Sequence, residues 1–294
     1  MMERISSFLK KRKSEIEEIL PTFVSSLQAP ETIKESMVYS LSAGGKRIRP
    51  ALVLAMLHSY GRNEKIGFPI ACAIEMIHTY SLIHDDLPCM DDDDLRRGKP
   101  TNHKVFGEAM AVLAGDGLLT ESFRIVAEQE ELPFSKRIQL IIELAKAAGV
   151  EGMVGGQVLD IEGEGQALTL EELKSIHEHK TGKLLEVSMV AGAILSDAPN
   201  QEIQVIRKIA YHLGIAFQIR DDILDIEGEE EKIGKPVGSD TLNEKTTYPS
   251  LLTMEGAKTK LVEHVETAKQ YLHTLSINTE LLEELCDLIA SRDH

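Results

Sequence analysis

The sequence predicts an all-α fold, a single-domain bundle of helices covering residues 1–294. Apolar residues recur at helical spacing through most of the chain, and no stretch shows the sustained alternation typical of a β-strand. Segments such as Leu184 to Leu195 and Ile209 to Ile219 are apolar nearly all round, which is typical of central, buried helices. The ends of these apolar helices carry the charges, which indicates a function at the helix ends.

Local signals place the helix boundaries. Gly44-Gly45 is a strong helix breaker, and Pro50 suits the first turn of the helix that follows. Thr169 with Glu172 three residues later predicts a capping box. The predicted helices cover 3–20, 31–43, 50–60, 67–87, 105–128, 134–149, 152–162, 170–195 and 200–226, with two or three shorter ones up to Ser291.

Composition excludes several classes of function. A formal net charge of -16 argues against a general nucleic-acid or anionic-membrane surface. Three scattered cysteines, Cys72, Cys89 and Cys286, fit a reducing compartment without structural disulfides. The N-terminus is too charged for a signal peptide, and uncharged runs such as Pro50 to Gly61 are too short for a transmembrane segment. We expect a soluble, cytoplasmic protein.

An acidic stretch ends the apolar segment before residue 87. It reads SLIHDDLPCMDDDDLRRGKPT over residues 81–101 and contains Asp85, Asp86 and four consecutive aspartates from Asp91. So many carboxylates repel one another unless water or cations neutralise them. Oxygen ligands favour hard cations such as Mg²⁺, which is commonly shared with substrate phosphates. The stretch therefore predicts a site for metal and phosphate, provided that a second half exists elsewhere.

A second acidic set ends another apolar helix, in YHLGIAFQIRDDILD over residues 211–225. Asp221 and Asp225 lie at positions i and i+4 and hence on one helical face, with Asp222 beside them. Alone, the pattern DDILD is more typical of a solvated helix end than of a metal site. Two such sets in one helical protein are far more specific for a site that binds several divalent ions.

Basic and polar residues accompany the two acidic sets. Lys46 and Arg49 flank a glycine-rich turn at a helix N-terminus, where an anion is favoured, although surface solubility explains them equally well. Arg96 and Arg97 suit phosphate oxygens but could equally pair with the neighbouring aspartates. Lys180-Thr181-Gly182 is a small, polar interruption of a long helix and predicts a break that frees a backbone carbonyl and a hydroxyl. The remaining residues of this kind are His78, Gln218, Lys235 and Lys245.

With these motifs the chain resembles the short-chain trans-prenyltransferases, also called polyprenyl diphosphate synthases. Within that family it is most similar to the bacterial enzymes that make farnesyl diphosphate. The matching blocks run in order along the chain: GGKRIRP (44–50), residues 75–109, LAGDGLL (113–119), GGQVLDI (155–161), HKTGKLLE (179–186), FQIRDDILD (217–225), GKPVGSD (234–240) and TYPSLL (247–252). The resemblance implies the isoprenoid synthase fold, an orthogonal helical bundle around a deep apolar cavity, in a homodimer. It also implies condensation of isopentenyl diphosphate with an allylic diphosphate.

The resemblance assigns residue roles in three groups. It gives the magnesium ions (manganese being possible) to Asp85, Asp86, Asp91, Asp221, Asp222 and Asp225. It gives the allylic diphosphate to Arg96, Lys180, Thr181, Gln218, Lys235 and Lys245. The Lys180 carbonyl, the Thr181 hydroxyl and the Gln218 amide could also stabilise an allylic carbocation as fixed dipoles. It gives the isopentenyl diphosphate, bound without metal, to Lys46, Arg49, His78 and Arg97.

Product length is expected to depend on Tyr80 and its neighbour Ser81, on the helix that leads to the first acidic set. Tyr80 precedes Asp85 by five residues, about 7.5 Å along a helix, and in the family an aromatic residue here tends to stop growth at farnesyl.

Three alternatives stay open: a geranylgeranyl diphosphate synthase, a terpene cyclase, and a non-catalytic helical scaffold or regulatory subunit. DDILD lacks the mixed second metal motif of cyclases, and both acidic sets are intact.

Overall fold

The computed structural model describes residues 3–228 and 245–292. It confirms the all-α fold class, since 76% of the protein is helical. Three residues of interest lie outside the described residues: Lys235, which was predicted to bind phosphate, and the last two residues, Asp293 and His294.

The helices follow the sequence pattern closely. The amino-terminal half contains α1 (Glu3–Ile19), α2 (Thr22–Ser25), α3 (Glu31–Leu41), α4 (Ile48–Ser59), a 3₁₀ turn (Glu64–Gly67), α5 (Phe68–Asp85), α6 (Asn102–Phe106) and α7 (Glu108–Ala127). The remainder contains α8 (Phe134–Ala148), α9 (Met153–Gly163), α10 (Leu170–His177), a π turn (Glu178–Gly182), α11 (Lys183–Leu195), α12 (Asn200–Glu227), α13 (Tyr248–Leu272) and α14 (Glu280–Ser291). The capping box of Thr169 and Glu172 is present at the start of α10.

Some boundaries differ from the prediction. The helix expected over residues 105–128 is broken at Gly107, whose φ of 84° is accessible mainly to glycine, so that α6 and α7 are separate. The last part of the chain was expected to contain shorter helices, and α13 extends over 25 residues but joins two helical segments across a kink at Thr253, whose φ of 68° is not helical. A small hairpin that the sequence analysis missed pairs β1 (Leu95–Arg96) with β2 (Lys99–Pro100). Its two turn residues, Arg97 and Gly98, both have positive φ, as the common two-residue hairpin turn requires.

The contacts within the chain are concentrated in two compact units. The amino-terminal unit comprises Ser6–Leu54 and Glu64–Ile141. The carboxyl-terminal unit comprises Met1–Ile5, Ala55–Asn63 and Ile142–His294. The expectation of one domain over the whole chain stays a prediction.

In the amino-terminal unit, α5 is the central helix and packs against α7 and α3. Eleven of its residues are buried, including Glu75, Thr79 and Tyr80. This burial leaves the carboxyl end of α5, with Asp85 as its last residue, as the place where the apolar helix reaches polar surroundings.

In the carboxyl-terminal unit, α12 packs along α13 and α11 and also contacts the π turn. Gly214 of α12 makes the last contact possible, because a Cβ at this position would lie 3.0 Å from the Cα of Gly182. The close approach brings the middle of α12 next to the turn that carries Lys180 and Thr181.

One segment, Glu64–Asp85, is long and apolar enough to cross a membrane by length and composition. Within the protein, 67% of that stretch is buried, and the core helix of a globular protein meets the same two criteria. The described residues therefore contain no clear transmembrane segment.

Candidate active site

The π turn positions the polar residues of a cavity in the carboxyl-terminal unit. Its wider helical turn interrupts the path from α10 to α11 at the sequence EHKTG, where the sequence analysis predicted a polar break. The cavity has a volume of about 140 Å³. Its lining includes Asp160, His177, Lys180, Thr181, Gln218, Asp222 and Lys245. Four residues assigned to the allylic substrate, Lys180, Thr181, Gln218 and Lys245, thus surround one cavity together with the predicted metal ligand Asp222.

Asp160 lies between the two lysines of this cavity. Its carboxylate forms an ion pair with Lys180 and lies 3.9 Å from the Nζ atom of Lys245. Helix α9 brings Asp160 there, because Gly156, one turn earlier, packs directly on the backbone of the π turn. A Cβ at Gly156 would lie 2.1 Å from the backbone nitrogen of Lys180. The sequence analysis gave Asp160 no role, and the only local signal for it was its place in the block GGQVLDI.

The second acidic set lies near the end of α12. Asp222 and Asp225 are buried, whereas Asp221 is partly exposed. The backbone N–H of Tyr248, the first residue of α13, donates to a carboxylate oxygen of Asp222 at 2.8 Å. A helix N-terminus favours negative charge, so α13 holds the Asp222 carboxylate in place.

A cation already accompanies Asp221. Arg292 donates from Nη2 to Asp221 at 2.6 Å and to the carbonyl oxygen of Phe217 at 2.7 Å, and its guanidinium lies over the Phe217 ring at 3.8 Å. The sequence analysis predicted no contact between the end of the chain and an acidic residue of α12.

The first acidic set lies at the end of α5, in the amino-terminal unit. The backbone N–H of Asp91 donates to the carbonyl oxygen of Asp85 at 2.9 Å, so the longer spacing of this motif folds back into a turn. Asp86 is 3% exposed, and this burial raises the pKa of its carboxyl group despite the ion pair with Arg96. Arg96 also pairs with Asp93 at 2.9 Å. Of the two possibilities left open for Arg96, the structure contains the pairing with neighbouring aspartates.

Two further aspartates of the run, Asp92 and Asp94, lie on the surface. Asp94 is exposed and pairs with Lys104 at 2.6 Å, and Asp92 is exposed at a positive φ of 50°. Both positions are typical of a solvated, salt-bridged surface.

The residues assigned to isopentenyl diphosphate form a basic cluster around the turn 44–49. Lys46 is exposed, and Arg49 and His78 are partly buried. Burial, followed by the charges of Arg49 and Arg97, holds the pKa of His78 well below its usual range. Arg97 donates to the carbonyl oxygen of Gly44. The structure therefore brings this predicted set together in the amino-terminal unit.

The chain-length residues lie one turn and more before Asp85 in α5. Tyr80 is 6% exposed and contacts the ring of His84 edge to face, with ring centroids 5.6 Å apart. Burial raises the pKa of the Tyr80 hydroxyl to about 12. Ser81 donates to the carbonyl oxygen of His78 at 2.9 Å.

Within residues 3–228 and 245–292, no group of three or more His, Cys, Asp or Glu side chains is close enough to hold a metal ion by itself. Mg²⁺ typically takes one or two carboxylates and completes its coordination with substrate phosphates and water. Buried Asp222 next to a cavity with two lysines fits such a shared ion.

The sequence profile of the polyprenyl synthetase family matches residues 30–281. The chain belongs to the polyprenyl synthetase family. The match confirms the resemblance drawn from the motifs. Enzymes of this family use divalent metal ions and act on small diphosphates.

Relatives extend over the whole chain. It is 62% identical to the farnesyl diphosphate synthase of Bacillus subtilis (strain 168), over 100% of both chains. It is 50% identical to a chloroplastic geranylgeranyl pyrophosphate synthase of Capsicum annuum, over 91% of this chain and 73% of that protein. The crystal structure of an FPP/GFPP synthase from Zymomonas mobilis has a TM-score of 0.87 at 33% identity and covers 99% of this chain and 100% of that one. The predicted class of enzyme, a transferase of prenyl groups, is confirmed.

Proposed function

We propose that the protein is a farnesyl diphosphate synthase. It condenses isopentenyl diphosphate with dimethylallyl diphosphate and then with geranyl diphosphate, and releases diphosphate at each step. The observation that carries the proposal is the cavity in which Lys180 and Lys245 lie near Asp160, with Asp222 in the same wall. Two ammonium groups and a buried carboxylate that can share a divalent ion suit one diphosphate group.

Bound metal would supply positive charge that neutralises the leaving diphosphate. The residues proposed to hold it are those of the two acidic sets: Asp85, Asp86, Asp91, Asp221, Asp222 and Asp225. Their chemistry favours Mg²⁺, with Mn²⁺ as a possible substitute, because all of them offer hard oxygen ligands.

The basic residues perform the electrostatic part of the reaction. Lys180 and Lys245, and by family motif also Arg96 and Lys235, stabilise the charge that develops on the allylic diphosphate as its C–O bond breaks. The Thr181 hydroxyl and the Gln218 amide, which line the same cavity as Lys180, act as fixed dipoles towards the allylic cation. The cation is then attacked by the double bond of isopentenyl diphosphate, which leaves a new carbocation. This carbocation loses a proton to the released diphosphate and forms the double bond of the product. No side chain needs to act as a nucleophile.

The turn 44–49 and the basic residues around it are the proposed pocket for isopentenyl diphosphate. Lys46, Arg49 and Arg97 supply the positive charge. Because its pKa is depressed, His78 is neutral at pH 7 and donates or accepts a single hydrogen bond per ring nitrogen. The family motif assigns no metal to this substrate.

The farnesyl product is supported by the burial of Tyr80 five residues before Asp85, and by the 62% identity to a farnesyl diphosphate synthase. A geranylgeranyl product is the second candidate, because a relative with that name is 50% identical. A non-catalytic scaffold and a terpene cyclase are disfavoured by the intact acidic and basic sets.

We extend the proposal to a cytoplasmic homodimer. Support for the dimer comes from α9, where Val154, Val158 and Ile161 are 39–49% exposed at helical spacing, preceded by Val150 at 80%. Support for the cytoplasm comes from three cysteines that are all free thiols. Size-exclusion chromatography with light scattering tests the dimer, and a mass of 32.6 kDa at micromolar concentration would contradict it.

The deciding experiment is incubation with isopentenyl diphosphate, geranyl diphosphate and Mg²⁺, followed by chromatographic sizing of the products. We expect farnesyl diphosphate as the main product and no turnover with EDTA. Mainly geranylgeranyl diphosphate would favour the second candidate, and the absence of any product would refute a prenyl-transferring enzyme.

A further inference from the structure

A buried ion pair lies beneath the turn 44–49 and has no role in the proposed mechanism. Arg47 donates from Nη1 to the Glu75 carboxylate at 2.6 Å, and the two side chains are 1% and 2% exposed. The second nitrogen, Nη2, donates to the carbonyl oxygen of Leu41 at 2.5 Å. Arg47 thus links the end of α3 to the middle of α5. An ion pair this deeply buried is costly to desolvate and is weak evidence for stability alone.

The backbone of Arg47 is in an unfavourable conformation. Its φ is 54°, in the left-handed region that residues other than glycine rarely adopt. Its carbonyl oxygen accepts the N–H of Ala51 at 3.1 Å, so Arg47 is also the residue from which α4 begins. Such a conformation persists only where the surroundings hold it. The two hydrogen bonds of the Arg47 guanidinium anchor its side chain and are among the contacts around this backbone.

The neighbours of Arg47 are the proposed ligands of isopentenyl diphosphate. Lys46 precedes it directly and Arg49 lies two residues later, while His78 lies three residues after Glu75 and therefore on the same side of α5. The position of the turn relative to α5 consequently sets how these three groups are spaced.

Charge gives Glu75 a second effect. Arg47, Arg49 and Arg97 all act on His78, so several cations repel one another around this turn. Glu75 lies within the electrostatic range of Arg97 and pairs with Arg47, and Glu17 approaches the Nε atom of Arg47 at 3.9 Å. The buried carboxylate of Glu75 lowers the repulsion that would otherwise separate the cations before any phosphate is bound.

We propose that Arg47 and Glu75 are positioning residues for isopentenyl diphosphate. Their buried pair fixes the turn 44–49 against α5 and thereby sets the spacing of Lys46, Arg49 and His78. Neither residue touches the substrate. The inference rests on the proposed function, because it takes isopentenyl diphosphate as the ligand of this basic cluster.

The test measures binding of isopentenyl diphosphate without metal by calorimetry, together with KM and kcat in the Mg²⁺-dependent reaction. For Glu75→Gln we expect Kd and KM for isopentenyl diphosphate to rise about tenfold or more, the worth of one charge-assisted hydrogen bond. The KM for geranyl diphosphate should stay within about twofold of the wild-type value. The matched control is Glu64→Gln, which removes the Arg12–Glu64 pair, also 2.6 Å and in the same unit, and should leave both KM values unchanged.

A double variant separates positioning from stability. Replacing both charges with methionines of similar volume, in Arg47→Met/Glu75→Met, often restores or raises stability at a buried pair. We expect its midpoint of thermal unfolding to return towards the wild-type value while Kd for isopentenyl diphosphate stays raised. Wild-type affinity in a folded double variant would overturn the inference.

A conservative variant provides a test if Glu75→Gln and the double variant do not fold. Arg47→Lys keeps the charge but not the two-pronged geometry, so we expect a rise of about threefold in Kd, and an unchanged Kd would overturn the inference. The two proposals fail differently. A wild-type protein that binds no isopentenyl diphosphate refutes the proposed function, whereas wild-type binding that all Arg47 and Glu75 variants retain refutes only the positioning role.

Discussion

The contact between α9 and the π turn should be important for catalysis, because it holds the turn that carries Lys180 next to the cavity. We predict that Gly156→Ala impairs both stability and turnover. The new Cβ would lie 2.1 Å from the backbone nitrogen of Lys180 and 2.6 Å from the carbonyl carbon of His179. Because these are backbone atoms, no side-chain rotation can relieve the contact, and α9 must move away from the turn. Overpacking of this kind costs about 1–3 kcal/mol.

The displacement also separates Asp160 from Lys180 and shifts the ammonium group from its position in the cavity. Misplacement of a catalytic group by about 1 Å can lower a rate about 100-fold. We therefore expect kcat to fall by about 10- to 100-fold and the melting temperature by about 2–12 °C, at roughly 2–4 °C per kcal/mol. The measurements are steady-state kinetics with geranyl and isopentenyl diphosphates, and calorimetry of thermal unfolding.

A second glycine of the same helix provides the control. At Gly163 a new Cβ would lie 3.1 Å from the Cδ1 atom of Leu168, which is the end of a flexible side chain. Gly163 also lines the cavity, but its contact involves no backbone atom of the π turn, so Gly163→Ala should change kcat by less than about twofold. If Gly156→Ala keeps wild-type kcat, or if both variants lose activity equally, the reasoning from this contact is refuted.

Three further predictions concern other parts of the protein. Tyr80→Ala should shift the product of the Mg²⁺-dependent reaction from farnesyl towards geranylgeranyl diphosphate, as sized by chromatography, and an unchanged product would mean that another residue limits chain length. Arg292→Ala should lower the Mg²⁺ concentration for half-maximal rate by up to about fivefold, since an ion pair with the half-exposed Asp221 is worth at most about 1 kcal/mol, and an increase would contradict this. The Nδ1 atoms of the neutral pair His212 and His264 lie 2.9 Å apart, so the free energy of unfolding should fall on acidification. Urea titrations between pH 7 and pH 4 measure this pH dependence, which His264→Gln should flatten.

The sign of the pH dependence follows from the direction of the pKa shifts. Burial, followed by the charges of His212 and Lys174, lowers the pKa of His264 to about 4, and burial also lowers the pKa of His212. A lowered histidine pKa means that the unfolded chain binds protons first, so stability is fully present above about pH 6.5 and declines as the pH falls towards 4. Because both side chains are partly exposed, solvent screening should limit the loss to about 1–2 kcal/mol. A flat wild-type profile would contradict the prediction.

The sequence predicted what depends on local pattern. Apolar spacing placed most of the helices, and the capping box at Thr169 was found because its two residues are three positions apart. The break at Gly107 was missed because helical periodicity continues on both sides of it, and glycine alone does not reveal a positive φ. The break at EHKTG was found because small and polar residues interrupt an apolar run.

The candidate site was predicted in its residue types and only partly in its contacts. Family motifs identified Lys180, Gln218 and Asp222, which do line one cavity. Asp160 was not identified, because its pairing with Lys180 spans 20 positions and depends on the packing of Gly156 on the turn. The ion pair of Arg47 was missed for a similar reason, since nothing local marks one arginine of GGKRIRP as buried and its neighbours as exposed or half-exposed.

The central claim is that this protein adds one isopentenyl unit to geranyl diphosphate in a metal-dependent reaction that needs both acidic sets. Its most direct test compares the wild-type protein with Asp86→Asn and Asp222→Asn in the geranyl diphosphate assay, with products sized by chromatography. We predict farnesyl diphosphate from the wild-type protein, none with EDTA, and a fall in kcat of about 100-fold or more in either variant, as expected for loss of a group that stabilises transition-state charge. Wild-type turnover by either variant, or turnover that survives EDTA, would contradict the claim.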